Sequence, residues 1–113
     1  MTITPHRVEV AGGEPSALLR SMLEERVAAH TNRLTELTMY RRLPGHCGYD
    51  PHVLDILATA ARQAIADTAQ ALQRMSDGTY GVCEDCHRPI PLGRLRVMPH
   101  ARYCTRCHHH QCD

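Results

Sequence analysis

The chain has 113 residues and a formal net charge of +1, because 13 arginines and no lysines stand against 12 acidic residues. It has no Phe or Trp and only four Tyr, so the large side chains that fill most globular cores are scarce. These numbers exclude a large compact core and any general electrostatic attraction to nucleic acid, and they favour an elongated helical molecule. No run of about 18 apolar residues is present, so no transmembrane helix is expected. Because the N-terminus also lacks the pattern of a secretory signal, a cytoplasmic protein is predicted.

Both ends of the chain are predicted to lack regular structure. Residues 1–14 mix polar and apolar side chains and include Pro5, so they are expected to form a flexible leader. Val8 and Val10 alternate with polar residues, which leaves a short docked strand as the alternative. Residues 108–113 are expected to form a disordered tail, although their three consecutive histidines could bind metal loosely.

Residues 15–77 are predicted to form an antiparallel coiled-coil hairpin with its tip near residues 43–51. The first helix is expected to begin near Pro15 or Ser16, and Ser16 is a candidate N-cap. Its apolar positions recur at the spacings of one helical stripe: Leu19, Leu23, Val27, His30, Leu34 and Leu37. One proline and two glycines within five residues, Pro44, Gly45 and Gly48, then end this helix.

The second helix is predicted from Pro51 to about Ser76, with Asp50 as its N-cap and Pro51 in the first helical position. Gly78 lies just beyond its C-terminal end, where a glycine commonly closes a helix. The residues in the middle of the stripe of this helix are small, so the first helix can approach closely there. The stripe consists of Leu54, Leu57, Ala61, Ala64 or Ile65, Thr68, Leu72 and Met75. Because neither helix has enough apolar area to be stable alone, the two stripes predict one shared seam.

Two Cys-x-x-Cys pairs dominate the C-terminal part, Cys83 with Cys86 and, after 17 residues, Cys104 with Cys107. Each pair places two thiolates at one tight turn, and two facing turns give the four-sulfur tetrahedron that suits Zn²⁺. A closed four-sulfur site leaves no open position for a substrate, so one structural zinc ion and no enzymatic activity are predicted for residues 78–107. Metal binding would also stabilise a finger of about 30 residues that is too small to fold around its own core.

The remaining features near these pairs carry weaker signals. The insert between the pairs is predicted to form short strands or turns over the site, at residues 89–92 and 94–97. Cys47 and Cys112 lie outside the pattern and are interpreted as incidental, with a reactive thiol at Cys47 beside His46 as the alternative. One Cys-x-x-Cys pair could instead serve redox chemistry, but no thioredoxin-like βαβ pattern surrounds it.

Two other functional classes stay open from the residues alone. A direct DNA-binding finger would use a local excess of positive charge from five arginines: Arg88, Arg94, Arg96, Arg102 and Arg106. The absence of a following helix with base-reading side chains argues against this class. A redox-sensing adaptor would instead use the cysteines, which release zinc when they are oxidised.

Four stretches of the finger form one long and specific motif: Asp77–Cys86, Pro89–Pro91, Arg94–Leu95 and Pro99–Cys107. This motif closely resembles that of the DksA/TraR zinc-finger family. The resemblance implies a coiled coil mounted on a zinc finger, and a transcription regulator that binds bacterial RNA polymerase in its secondary channel. Some members act with the alarmone ppGpp at the polymerase interface, so ppGpp is a further expected partner. His87 stands where the family usually has glycine, so we expect either a strained left-handed backbone or a different turn there.

The resemblance also assigns functional residues to the predicted tip. Members of the family often carry an Asp-Pro-x-Asp run there; Asp50 matches the first acid, and Val53 occupies the place of the second. Arg41, Arg42 and His52 lie beside it, so these three residues and Asp50 are the expected partner-binding residues. From the residues alone, Asp50 needs only to cap a helix, and Arg41 and Arg42 suit the negative end of a helix dipole.

Overall fold

The computed structural model describes residues 14–107, most of which are helical. In chain order the elements are α1 (Glu14–Arg42), a 3-10 segment (Pro44–Gly48), α2 (Pro51–Asp77) and α3 (Leu92–Val97). The described part extends over 57 × 31 × 21 Å, and its β structure is limited to one isolated bridge between Val82 and Pro89. The predicted fold class, a mainly helical hairpin with a C-terminal four-cysteine finger, is therefore confirmed. Residues 1–13 of the predicted leader and the whole predicted tail, including Cys112, lie outside the described residues, and Glu14, the last residue of the predicted leader, already belongs to α1.

Helices α1 and α2 pack against each other along the predicted stripes. The buried positions are Leu19, Leu23 and Leu37 of α1 and Leu54, Ala61, Thr68 and Ala71 of α2. The small buried residues of α2 let the backbone of α1 approach closely, as the sequence indicated. The one buried polar side chain among these positions, Thr68, is satisfied within its own helix because its hydroxyl donates to the carbonyl oxygen of Ala64 at 2.7 Å. No helix within residues 14–107 is both long and apolar enough to cross a membrane.

The helix ends follow the sequence at both ends of α2 but not at the start of α1. The carboxylate of Asp50 accepts a hydrogen bond from the backbone N–H of His52 at 2.7 Å, which confirms the predicted N-cap of α2. Gly78 closes α2 with a left-handed backbone at φ 81°. The prediction of Ser16 as the N-cap of α1 is wrong, because that helix already begins at Glu14. Pro15 is tolerated there, since a helix has no partner for its first N–H groups.

The open end of the hairpin and the finger share one core. Leu19 and Leu23 of α1 and Ala71 of α2 cluster with six buried residues of the finger: Tyr80, Cys83, Ile90, Leu95, Ala101 and Cys107. Met22, Leu72 and Met75 pack against the same cluster from the helices. The hairpin is therefore anchored at its base by apolar packing on the finger, and its tip projects away from that contact.

The insert between the cysteine pairs is more helical than its sequence suggested. The prediction of strands or turns at residues 94–97 is wrong, because α3 covers this stretch. Leu95, which is fully buried, anchors α3 on the shared core. The backbone N–H of Ile90 donates to the carbonyl oxygen of Gly81 at 2.8 Å. This backbone pairing ends at the next residue, Pro91. Proline has no N–H to continue such a ladder, so the chain turns into a helix instead.

Truncation of neighbouring leucines tests the shared core. Leu19→Ala should lower the free energy of unfolding by about 2–5 kcal/mol, because it deletes a side chain that is only 1% exposed and leaves a cavity. The matched control is Leu18→Ala, where the side chain is 56% exposed and the expected change is within about 0.5 kcal/mol. Urea unfolding of the zinc-loaded protein, followed by circular dichroism, measures both. Equal losses in the two variants would contradict the packing described here.

Candidate metal centre and hairpin tip

The structure brings the four predicted cysteines together. The sulfur atoms of Cys83, Cys86, Cys104 and Cys107 all lie within 4.8 Å of one another, and those of Cys86 and Cys104 are 3.8 Å apart. Four sulfurs at about 2.3 Å from a tetrahedral zinc ion are separated by roughly 3.8 Å, so the spacing fits this metal. The donor set is also that of a closed structural site. The four cysteines can therefore hold one zinc ion, and its role would be to cross-link the two turns of the finger.

The thiols of this centre differ in burial and acidity. Cys83 and Cys107 are buried, whereas Cys86 is exposed and Cys104 intermediate. Burial opposes ionisation of Cys83, but hydrogen bonds from the backbone of Cys86, Cys104 and Asp85 outweigh it and lower its pKa from 9.0 to about 6. Burial and the neighbouring thiols raise the pKa of Cys107. Zinc binding to such a set must displace protons, so metal affinity rises with pH.

The first cysteine turn requires one residue in the left-handed region. His87 has a φ of 64°, and its N–H donates to the carbonyl oxygen of Cys83 at 2.9 Å. Of the two alternatives expected for His87, the structure therefore shows the strained left-handed backbone. A non-glycine residue in this conformation costs about 1–2 kcal/mol, and the metal centre would have to offset that cost.

A network of ionic and polar contacts joins the base of α2 to both cysteine turns. The half-buried Arg74 lies 3.7 Å from the carboxylate of Glu84 and also donates to the carbonyl oxygens of His100 and Ala101 at 3.4 Å. Arg102 donates twice to the same oxygen of Glu84, at 3.0 and 3.1 Å. Glu84 follows the first metal cysteine and Arg102 precedes the third, so this pair ties the two turns together. Sequence reasoning missed the network, because its members are up to 27 residues apart.

Two further hydrogen bonds fix the backbone of the insert. The Tyr80 hydroxyl donates to the carbonyl oxygen of Pro99 at 2.7 Å, and burial raises the pKa of this tyrosine to about 12, so it remains a neutral donor. Arg94 donates from Nε to the carbonyl oxygen of Tyr103 at 3.0 Å. Arg94 and Arg102 are thus engaged inside the finger, and only Arg88, Arg96 and Arg106 remain for phosphate contacts. Fewer arginines are thus available for phosphate contacts than the sequence indicated, which weakens the DNA-binding alternative.

The tip of the hairpin is a left-handed turn. Four successive residues have positive φ, at 77° and 85° for Gly45 and Gly48 and at 51° and 53° for His46 and Cys47. The ring of Tyr40 stacks on that of Tyr49 at 5.8 Å and closes the turn from the side. Cys47 is exposed and belongs to no metal cluster within residues 14–107. Sequence reasoning placed a loop here, but it did not predict a left-handed conformation at two residues other than glycine.

The four predicted partner-binding residues all lie at this tip and are exposed. Within this set, Asp50 accepts a hydrogen bond from the backbone of His52, whereas Arg41 donates from Nε to Asp55, outside the set, at 3.2 Å. Sequence reasoning missed Asp55 as a partner of Arg41. When the hairpin folds about its turn, Arg41 and Asp55 lie at similar distances from the tip. The predicted antiparallel pairing of the helices was therefore the sequence signal that could have identified this contact.

Apolar side chains complete the surface of the tip. Val53 stands where the expected second acid would be, and it is 41% exposed. Met39, Leu43 and Ile56 are also exposed beside it. The tip therefore presents apolar and basic groups around Asp50, and its other acid, Asp55, is paired with Arg41, so this surface differs from the acidic pair that the resemblance implies.

Comparisons with known proteins identify related sequences. Residues 78–110 match the family of the prokaryotic dksA/traR C4-type zinc finger. An uncharacterised protein of Aquifex aeolicus is 36% identical over 63 residues, which are 56% of this chain and 43% of that protein. The RNA polymerase-binding transcription factor DksA of Caulobacter vibrioides is 48% identical over 40 residues, which are 35% of this chain and 28% of that protein. The chain thus matches less than half the length of these relatives.

A comparison of folds extends the similarity to the hairpin. The structure of the transcription factor DksA2 from Pseudomonas aeruginosa superposes with a TM-score of 0.76 at 20% sequence identity. The match covers 96% of this chain and 90% of that protein. At this level of identity the similarity concerns the fold, and it places a hairpin and a finger in the same arrangement in both molecules.

Substitution of single cysteines tests the metal centre. The wild-type protein should bind one zinc ion per chain, and Cys104→Ser should bind zinc much more weakly, because a neutral hydroxyl replaces a thiolate ligand. Cys47→Ser is the matched control and should keep full occupancy. Elemental analysis after dialysis against a weak chelator gives the metal content of each protein. Loss of zinc from the control as well, or full occupancy in Cys104→Ser, would show that the site is assigned wrongly.

Proposed function

We propose that this chain is a non-enzymatic transcription regulator that binds bacterial RNA polymerase, because residues 78–110 match the DksA/TraR C4-type zinc finger and the whole fold resembles that of DksA2. The observation that carries the proposal is the long hairpin mounted on a four-cysteine finger, an arrangement that it shares with DksA2 over nearly its whole length. In the related Caulobacter protein, binding to RNA polymerase is part of the name.

The shape of the molecule suits a partner with a deep channel. Each helix of the hairpin has more than 26 residues, so each spans roughly 40 Å at 1.5 Å per residue. The finger anchors the open end through the shared core and the contacts of Arg74. In the proposed mechanism the finger rests at the mouth of the secondary channel and the hairpin reaches inward, so that its tip acts near the active centre.

The chemistry of the tip defines what it can do there. Asp50 is the only acid of the expected Asp-Pro-x-Asp run, and its carboxylate already caps α2. One carboxylate oxygen accepts the cap, which leaves the second oxygen exposed for a partner. We propose that Asp50 contacts the polymerase through this oxygen, and that Arg42 and His52 contribute flanking contacts.

The substitution Asp50→Asn distinguishes the proposed polymerase contact of Asp50 from its role as the N-cap of α2. Asparagine caps a helix about as well as aspartate, so the thermal midpoint should stay nearly unchanged while the negative charge is lost. The wild-type protein should be retained on immobilised RNA polymerase and should change run-off transcription, whereas Asp50→Asn should be retained but regulate less. Asp50→Ala is the control for the cap and should cost about 1 kcal/mol in stability. Parallel reactions with ppGpp measure any dependence on the alarmone.

Two outcomes would overturn these proposals separately. Failure of the wild-type protein to bind polymerase would remove the proposed function. Full regulation by Asp50→Asn would leave polymerase binding intact but reduce Asp50 to a helix cap.

A further inference from the structure

Two aromatic rings face each other across the turn of the hairpin. Tyr40 lies in the last turn of α1, and Tyr49 lies between the 3-10 segment and α2. Their ring centroids are 5.8 Å apart and their planes differ by 13°, which is the geometry of a stacked aromatic pair. Both side chains are half-buried, whereas most of residues 41–50 are exposed. The stack therefore joins the end of α1 to the residue at which the chain leaves the turn.

The turn between the two rings has little packing to hold it. Its 3-10 segment buries none of its side chains, and a Cβ added at Gly45 or Gly48 would meet no atom within 4 Å. His46 and Cys47 are nevertheless left-handed, a conformation that residues other than glycine rarely adopt without support. The backbone N–H of Tyr49 donates to the carbonyl oxygen of His46 at 3.0 Å. Because of this bond, the stack that holds Tyr49 also supports the left-handed residues.

A third residue holds the side chain of Tyr49 against α1. Arg33 lies seven residues before Tyr40, which is about two helical turns, so both residues are on one face of α1. The side chains of Tyr49 and Glu36 raise the pKa of Arg33, because each accepts a hydrogen bond from its guanidinium group. Tyr49 is thus held at its ring by Tyr40 and at its hydroxyl by Arg33.

The position of Tyr49 bears directly on Asp50, which is the next residue. The cap fixes one carboxylate oxygen of Asp50 relative to α2, and the stack fixes the adjoining residue relative to α1. We propose that Tyr49 is the positioning residue of the tip, and that its stack on Tyr40 sets the direction in which Asp50 presents its free oxygen. The role of Tyr49 therefore rests on the proposed function, in which Asp50 contacts RNA polymerase.

The pairing of the helices does not depend on this stack. Leu37 and Leu54, the buried residues of the seam nearest the tip, are each only 1% exposed. Arg41 and Asp55 add an ionic contact between the helices at 3.2 Å. Loss of the Tyr49 ring should therefore loosen the turn and leave the hairpin closed, so the role of this residue can be measured in a folded protein.

Backbone order parameters from NMR relaxation of the zinc-loaded full-length protein test the stack without any partner. Residues 45–50 should be rigid in the wild type, with values near about 0.85, and flexible in Tyr49→Ala, with values below about 0.6. Tyr49→Phe keeps the stacked ring and loses only an exposed hydrogen bond, so it should match the wild type. The matched control is Met39→Ala, which truncates a side chain that is 56% exposed beside Tyr40 and should change nothing in the turn.

Run-off transcription with a double variant tests the link from Tyr49 to Asp50. Tyr49→Ala should be retained on immobilised RNA polymerase but should regulate about two- to tenfold less, which is the range expected for one displaced hydrogen bond. Because Tyr49 acts through Asp50, Tyr49→Ala/Asp50→Asn should regulate as well as Asp50→Asn alone, whereas independent roles would give additive losses. Tyr49→Phe and Met39→Ala should regulate like the wild type.

The two kinds of measurement separate failure of this proposal from failure of the proposed function. Unchanged order parameters in Tyr49→Ala, additive losses in the double variant, or an equal loss of regulation in Met39→Ala would each overturn the role of Tyr49 and leave polymerase binding intact. Failure of the wild-type protein to be retained on polymerase would overturn the proposed function, and the role of Tyr49 towards Asp50 would fall with it.

Discussion

The clustering of four cysteine sulfurs is the constraint on which the rest of the molecule depends. Cys83 and Cys107 are at once members of this cluster and part of the core that holds Leu19 and Leu23 of α1. The finger is too small to bury a stable core by itself, so a metal ion on the sulfurs would fix the surface on which the hairpin rests. The packing of the open end, and through it the direction of both helices, follows from that one centre.

This arrangement separates the part that supports the molecule from the part that we propose contacts a partner. In the finger, Glu84 is paired with Arg102 and with Arg74 of α2. The tip does the opposite, since it leaves Arg42, Val53 and several other side chains exposed. Because the tip lies outside the shared core, its side chains can differ without loss of the fold, as Val53 illustrates at the place where the resemblance implies a second acid.

The sequence predicted the features that depend on neighbouring residues. The hairpin, the cap at Asp50 and the four-sulfur site each follow from short-range spacing that physical rules interpret directly. The features that the sequence did not predict depend on contacts between residues far apart in the chain, or on local patterns that favour two different structures. Alternation of Arg94, Leu95, Arg96 and Val97 imitates a strand, but the buried Leu95 and the preceding Pro91 select a helix. The pairs Arg74–Glu84 and Arg41–Asp55 appear only after the chain has folded back on itself.

The central claim is that the metal centre and the base of the hairpin form one cooperative unit. Amide hydrogen exchange with and without a zinc chelator tests this claim most directly. Removal of zinc should accelerate exchange in residues 16–27 and 68–77 as well as in the finger, because the core of Leu19, Leu23 and Ala71 loses its support. Faster exchange confined to residues 78–107, with both helix bases protected as before, would contradict the account.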